Sequence, residues 1–325
     1  MIDGKVNYGV VSTAGIAPRF ISASRCTDNS IFTAVASREV EKARAFAQKN
    51  GLEKYYGSYQ ELYDDPDIDA VYIPTVNLTH YQCAKDALKA GKHVIVEKPM
   101  VMYKWQAEEL FALAREKNLF ITEAIKVLYL PLIQEVKSLI DSGKYGRIRF
   151  MEFKQSYVSG RYNSGWMKQK EMGGGLIYGN EAYFLSLCDY LCGGVKDYRT
   201  LVTYGDFSVE NQLCVSMLLN GSILATSCVS SEVLFDNGLT IYLEKGRIVI
   251  PDYWKARKAY VYADGKMITT LDHPVEYEMQ YELQHFSDCI ISGKTYSDIT
   301  SPQLSLRNIE ICEQLLRQRD ECIKL

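Results

Sequence analysis

The chain has 325 residues, 47% of them hydrophobic and 24% charged, with a formal net charge of −3. That length exceeds what one core fills comfortably and suits two domains. The near-neutral balance offers no basic footprint for nucleic acid and no polybasic patch for a membrane, and no apolar run reaches bilayer-spanning length.

The sequence opens "MIDGKVNYGVV" and passes straight into a strand-like run, without a charged leader, long apolar stretch or cleavage site. Its nine cysteines show no CxxC or Cys/His ligand spacing. Cys188 and Cys192 fall i,i+4 on an expected helix, but no second ligand pair accompanies them. The expectation is a cytoplasmic protein with free thiols and no metal.

Over the first 120 residues, strand-like runs at 6–12, 32–38, 70–75, 93–98 and 120–124 alternate with amphipathic segments at 16–25, 39–51, 59–66, 79–91 and 103–118. Gly51 and Gly91 stand where helices should end. This alternation predicts a doubly wound parallel sheet, a Rossmann domain over 1–123. A helix at 131–142 and a long strand at 146–158 follow, then the glycine-rich "EMGGGLIYGNEAYFLSLCDYLCGG". Residues 196–270 read as alternating strands, with Asn220-Gly221 and Asp264-Gly265 as hairpin turns. Helices at 276–292 and 302–320 close the chain. Residues 124–325 are thus expected to form an α+β domain with a mostly antiparallel, open-faced sheet. Two or three helices cannot cover both faces of that sheet, which points to a homodimer or dimer-based tetramer built through it.

The first turn, "VVSTAGIAPRF", carries Ser12-x-Ala14-x-x-Ala17 where a dinucleotide fingerprint has G-x-G-x-x-G. Serine and alanine are the smallest substitutes, Gly15 adds one flexible position, and backbone N–H groups do most of the anion binding. Ser12, Thr13, Ala14, Gly15 and Ile16 are therefore candidate cofactor contacts. Taken alone, the turn reads more readily as a plain strand–helix connection.

The end of the second strand bears on which dinucleotide binds. An NAD site places Asp or Glu there to accept from the adenosine ribose hydroxyls. This chain has Ser37 and Arg38, with no acid until Glu39. A hydroxyl and a guanidinium suit a 2′-phosphate, so NADP is expected over NAD, with Lys42 nearby as a further candidate.

"VIVEKPM" then places Glu97, Lys98 and Pro99 at the end of a parallel strand, the edge where α/β sheets bind ligands. A charged pair and a proline closing an apolar strand break the usual pattern of a buried parallel strand.

At this point a resemblance becomes specific. The first turn, "GSYQELYDDPDIDAVYIPT", "HYQCAKDALKAGKHVIVEKP", "ITEAIKVLYLP", "GGGLIYGNEAY" and "YELQHFSDCI" occur in the order and spacing of the glucose–fructose oxidoreductase / inositol dehydrogenase family. The chain looks most similar to its dihydrodiol dehydrogenase-like branch. The resemblance implies hydride transfer between NAD(P) and an alcohol carbon of a sugar, polyol or diol. It implies Lys98 beside the reacting hydroxyl and Tyr183 as the second catalytic side chain. It also implies cofactor contacts from Thr75, Asn77, His80, Glu97 and Lys98.

Two departures stand out. The family's aspartate four residues past the last glycine is here Gly179, with Glu181 two residues on, and the branch's Trp and Arg are replaced by Lys126 and Leu128. The rival expectation is an NADP-binding member with little or no catalysis, acting as a sensor or regulator.

Overall fold

A computed structural model describes residues 1, 4–157 and 165–321 and divides the chain into two compact units. The first comprises 1–126 with 277–309, and the second 127–276 with 310–325.

The first unit holds a six-stranded sheet ordered β3-β2-β1-β4-β5-β6. Its strands are β1 (Val6–Val11), β2 (Ser30–Ala36), β3 (Lys54–Tyr56), β4 (Ala70–Ile73), β5 (His93–Glu97) and β6 (Ile121–Ala124), and every pair is parallel. Helices α1 (Ala17–Ala23), α2 (Val40–Asn50), α3 (Tyr59–Asp64), α4 (His80–Lys89) and α5 (Lys104–Glu116) connect them. Strand β1 is buried along its whole length because helices cover both faces, hence its mostly apolar character, and the polar Asn7 within it is satisfied by donating to Asp67 O at 2.7 Å and accepting from Thr33 Oγ1 at 2.8 Å. Gly9 lets α3 pack on it, since a Cβ there would lie 2.7 Å from the Leu62 side chain. The short edge strand β3, which has no alternating pattern of its own, is absent from the sequence reading and supplies the sixth strand.

Residues 277–309 pack with this unit, so a single division near residue 123 does not describe the contacts. Helix α8 (Gln280–Ile291) lies against the sheet, with Ser287 Oγ 2.8 Å from Tyr8 OH and Phe286 beside Phe120. Thr300 and Thr122 hydroxyls meet at 2.8 Å. Apolar and hydroxyl-bearing faces of distant segments find each other here, which order along the chain does not reveal.

The second unit holds an eight-stranded sheet ordered β14-β13-β12-β11-β7-β10-β9-β8. Its strands are β7 (Ile148–Ser156), β8 (Val195–Tyr204), β9 (Glu210–Leu219), β10 (Ile223–Ser230), β11 (Gly238–Leu243), β12 (Gly246–Pro251), β13 (Lys258–Ala263) and β14 (Lys266–Asp272). Neighbours are antiparallel except β7 with β10. Asp264 and Gly265, both at positive φ, turn β13 into β14 as a two-residue hairpin requires. Helix α6 (Pro131–Asp141) precedes the sheet, and α7 (Leu176–Cys192) packs on one face of it through Phe184, edge-on to Phe153 with ring centroids 4.3 Å apart. In β9 buried and exposed residues alternate, as expected of a sheet covered on one side. The end of α9 (Pro302–Glu321) is tied to β9 by a buried ion pair, Arg319 to Glu210 at 3.1 Å.

Candidate active site

Because the first sheet is wholly parallel, the segments following β1, β2, β4 and β5 emerge at one edge. Between β1 and β4 the strand order reverses direction, the point at which such sheets bind ligands. Ser12–Ile16, Ser37–Arg38, Thr75–His80 and Glu97–Lys98 all lie on these segments.

In the first turn Ser12 has φ 104°, a conformation that favours glycine and is rarely taken by side-chain-bearing residues. Its N–H donates to Ala36 O at 3.0 Å, and its Oγ accepts from the Ala14 N–H at 3.3 Å. Gly15 does not take a positive φ, so the conformational demand expected of it falls on Ser12 instead. What Gly15 contributes is room: a Cβ there would meet nothing within 4 Å. With Thr13, Ala14 and Ile16 it forms an open cradle that fits the close approach of a pyrophosphate.

After β2, Ser37 is buried and its Oγ accepts from the Glu39 N–H at 3.4 Å. Arg38 is exposed and, among the described residues, takes part in no ion pair. Lys42 is paired with Glu39 at 2.5 Å, so its charge is already partly answered. A hydroxyl and a guanidinium, with the neighbouring Glu39 carboxylate already paired to Lys42, fit a 2′-phosphate.

After β4, Asn77 is buried and Thr75 half-buried. The His80 ring bridges two backbone carbonyls, Nδ1 to Pro99 O at 2.9 Å and Nε2 to Thr75 O at 3.0 Å. Burial pushes its pKa down. The ring lies between the loop after β4 and the loop after β5, and in its neutral form donates to one of the two carbonyls.

At the end of β5, Glu97 accepts from Tyr72 OH at 2.6 Å and from the Lys98 N–H at 3.2 Å. The Lys98–Pro99 peptide is cis. Around this pair is a group of buried ionisable side chains. Glu123 accepts from the Met100 N–H at 2.9 Å and from Ser305 Oγ at 2.7 Å, and burial pushes its carboxyl pKa up. Lys126 Nζ lies 3.1 Å from Glu278 Oε1, and Arg19 pairs with the same carboxylate. Burial, then the Arg19 charge, pull the Lys126 ammonium down to about 7, opposed by Glu282 and Glu97. Glu282 is itself held well above the usual carboxylate range by burial. Among these residues only Lys126 was singled out from sequence, and as a departure rather than as part of a network. An acid inside the apolar run of β6 was the available signal for Glu123.

In the second unit, Tyr183 lies on α7, nearly buried. The three glycines before it are shaped by packing. A Cβ on Gly174 would sit 2.4 Å from Met167 O, and Gly175 has φ 113° with Glu210 Oε1 2.7 Å from where its Cβ would be. That carboxylate also receives the Ile177 N–H at 2.8 Å.

A family model described as the oxidoreductase family with an NAD-binding Rossmann fold matches residues 6–124, and the GFO/IDH/MocA C-terminal domain matches 133–249. A trans-1,2-dihydrobenzene-1,2-diol dehydrogenase of Xenopus laevis is 30% identical over 328 residues, covering 96% of this chain and 97% of the relative. The chain belongs to the GFO/IDH/MocA oxidoreductase family. It is an oxidoreductase with an NAD(P)-binding Rossmann domain. The same fold occurs in a 3-ketoreductase from Actinomadura kijaniata in complex with NADP and TDP-benzene, with a TM-score of 0.87, 23% identity and coverage of 97% and 98% of the two chains. It also occurs in a levoglucosan dehydrogenase in complex with NADH, with a TM-score of 0.87, 19% identity and coverage of 98% and 97%.

Gly179, standing at the family's aspartate position, has open space around it, and a Cβ would meet nothing within 4 Å. Glu181 does not take the aspartate's place. Two residues on is roughly 200° around a helix, and its carboxyl is wholly buried, accepting from Ser227 Oγ at 2.9 Å. Leu128, at the branch's arginine position, is a buried apolar residue. Trp166 is half-buried, and the glycine/serine-rich loop before it lies outside the described residues.

Proposed function

We propose that this oxidoreductase uses NADP(H) to interconvert an alcohol and a carbonyl on a sugar, polyol or diol, with Lys98 as the proton-transfer group. The observation that carries the reading is the end of β5: Glu97, clamped by Tyr72, delivers Lys98 at the same sheet edge as the open turn after β1. When bound, the nicotinamide accepts or donates the hydride. The chain's part is to move the accompanying proton. In oxidation Lys98 Nζ, in its neutral form, takes the hydroxyl proton, and in reduction the ammonium returns it; a group so placed contributes ~10²–10⁴ in rate. Tyr183 is the second proposed proton-handling side chain. The preference for NADP rests on Ser37 and Arg38, and the cofactor cradle on Ser12–Ile16 with Thr75 and Asn77. The diol relative named above supports the alcohol class. We further propose a homodimer or dimer-based tetramer through the open sheet face, where Leu201 and Leu224 are exposed at 75% and 56%, and a cytoplasmic location. Light scattering at micromolar protein that returns a monomer mass would remove the assembly.

One observation favours a second reading, that of a cofactor-binding regulator: Gly179 leaves the aspartate position without a side chain and Glu181 faces the core. A panel of sugars, inositols and diols, followed by nicotinamide absorbance, separates the two. Turnover on any member of the panel, falling at least about 100-fold in Lys98→Ala with NADPH binding retained, is expected. Tight NADPH binding without turnover on the panel would favour the regulator.

A further inference from the structure

Cysteines 214 and 228 stand directly opposite each other on the adjacent antiparallel strands β9 and β10. Their sulfurs are 3.1 Å apart, and in the single chain Cys214 is exposed and Cys228 half-buried, on the same sheet face as Leu201, so the dissociated chain is the form in which a small disulfide reaches them. Directly opposed antiparallel residues have Cα atoms about 4.5–5.5 Å apart, inside the roughly 4.4–6.8 Å span a disulfide needs. The other described thiols differ. Cys83, Cys188, Cys289 and Cys312 are buried, Cys192 lies beside Met151 and Cys26 is exposed on another element. Burial pushes the Cys83, Cys188, Cys192 and Cys289 thiols up, whereas the hydrogen bond from Cys228 pulls Cys214 down to about 6. Cys214, the more exposed of the two, is the sulfur that a small disulfide reaches first, and Cys228 behind it is the resolving one.

We propose that Cys214 and Cys228 form a redox-active dithiol, which closes to an intramolecular disulfide by exchange with a small-molecule disulfide such as oxidised glutathione. In the first step Cys214 Sγ attacks one sulfur of the small disulfide, whose S–S bond breaks to release one thiolate and leave a mixed disulfide on Cys214. In the second, Cys228 gives up its proton and its sulfur attacks Cys214 Sγ, releasing the other half. Two protein thiols and one small disulfide become one protein disulfide and two small thiols, and two electrons pass out of the protein. The step is internal to one chain and needs no movement of the strands past each other.

The test is favoured by the sequence: no lysine or arginine lies between Thr200 and Lys245, so trypsin leaves both thiols, and no other cysteine, in one peptide. The protein is incubated with oxidised glutathione, at dilute and at micromolar concentration to cover the proposed self-association, then alkylated and digested. The expected product at one or both concentrations is peptide 200–245 lighter by two hydrogens and closed to alkylation, restored by dithiothreitol. Cys228→Ser should instead stop at a stable glutathione adduct on Cys214, with the thermal unfolding curve confirming that the variant is folded. The proposal is overturned if the wild-type peptide stays fully alkylatable at both concentrations, if it accumulates only a glutathione adduct, or if the bridge links two copies on a non-reducing gel.

Discussion

Lys126 Nζ and Glu278 Oε1 lie 3.1 Å apart with both side chains nearly excluded from water, although 152 positions separate them in the chain. The pair joins the end of β6 to the start of α8, and Arg19 makes the carboxylate common to two cations. Breaking one side of a buried pair leaves an uncompensated charge, at a cost of roughly 3–5 kcal/mol, whereas replacing both partners by apolar groups is often near neutral. Glu278→Met is therefore expected to lower stability by about 1–3 kcal/mol, less than a fixed buried charge would, because Lys126 can release its proton near neutral pH. The double variant Lys126→Met with Glu278→Met should recover most of that loss, because Arg19 is partly exposed and reaches water. Urea unfolding of Lys126→Met, Glu278→Met and the double variant measures the coupling; strictly additive losses would contradict it.

The proposed preference for NADP rests on Ser37 and Arg38. Calorimetric titration is expected to show NADPH binding tighter than NADH, with Ser37→Asp and Arg38→Ala each shrinking or reversing the gap. Charge repulsion by the new carboxylate acts on the 2′-phosphate alone, so NADH affinity should change far less. Equal affinities in the native protein would sink this assignment.

Ser12 pays for the missing glycine. A side-chain-bearing residue held at φ 104° stores on the order of 1–3 kcal/mol. Ser12→Gly is expected to raise stability by about 1 kcal/mol, the lost Oγ bond to Ala14 offsetting part of the relief, with NADPH affinity kept within a few-fold. Ser12→Val, β-branched at the same φ, should lose stability. Thermal melts rank the three proteins, and a glycine variant that melts lower than wild type would contradict the strain.

Glu181 makes stability depend on pH. Burial holds its carboxyl up at about 8, against an ordinary value of 4.5, with the nearby Glu210 adding to the effect. The folded chain therefore keeps a proton that the unfolded chain releases between pH 4.5 and 8, and stability falls as pH rises through that window. At roughly 1.4 kcal/mol per unit the loss by neutral pH is on the order of 3 kcal/mol. Glu181→Gln should flatten the slope and unfold at higher denaturant above pH 7. Parallel profiles for the two proteins would remove Glu181 as the source.

Much of the fold was legible because its signals are local. Apolar runs alternating with 3.6-period segments announced the parallel sheet, the glycines at helix ends marked helix exits, and the Asp264-Gly265 turn marked a hairpin. The charged pair closing β5 likewise stood out against an apolar strand, which made Lys98 a candidate without any structure. Edge strand β3 escaped because three half-exposed residues carry no periodicity.

What sequence alone determined, then, is whatever one segment's own pattern enforces: element type, the turn after β1, and which residues cap the strands. Tertiary structure decided the rest. It showed that residues 277–309 return to the first unit, so Lys126 meets Glu278 and Glu123 meets Ser305. It turned Glu181 inward onto Ser227, placed the His80 ring between two carbonyls, and set Cys214 against Cys228. Each of these depends on which distant group fills the space opposite a side chain. Burial and electrostatics act through that space, and no pattern within a single segment records it.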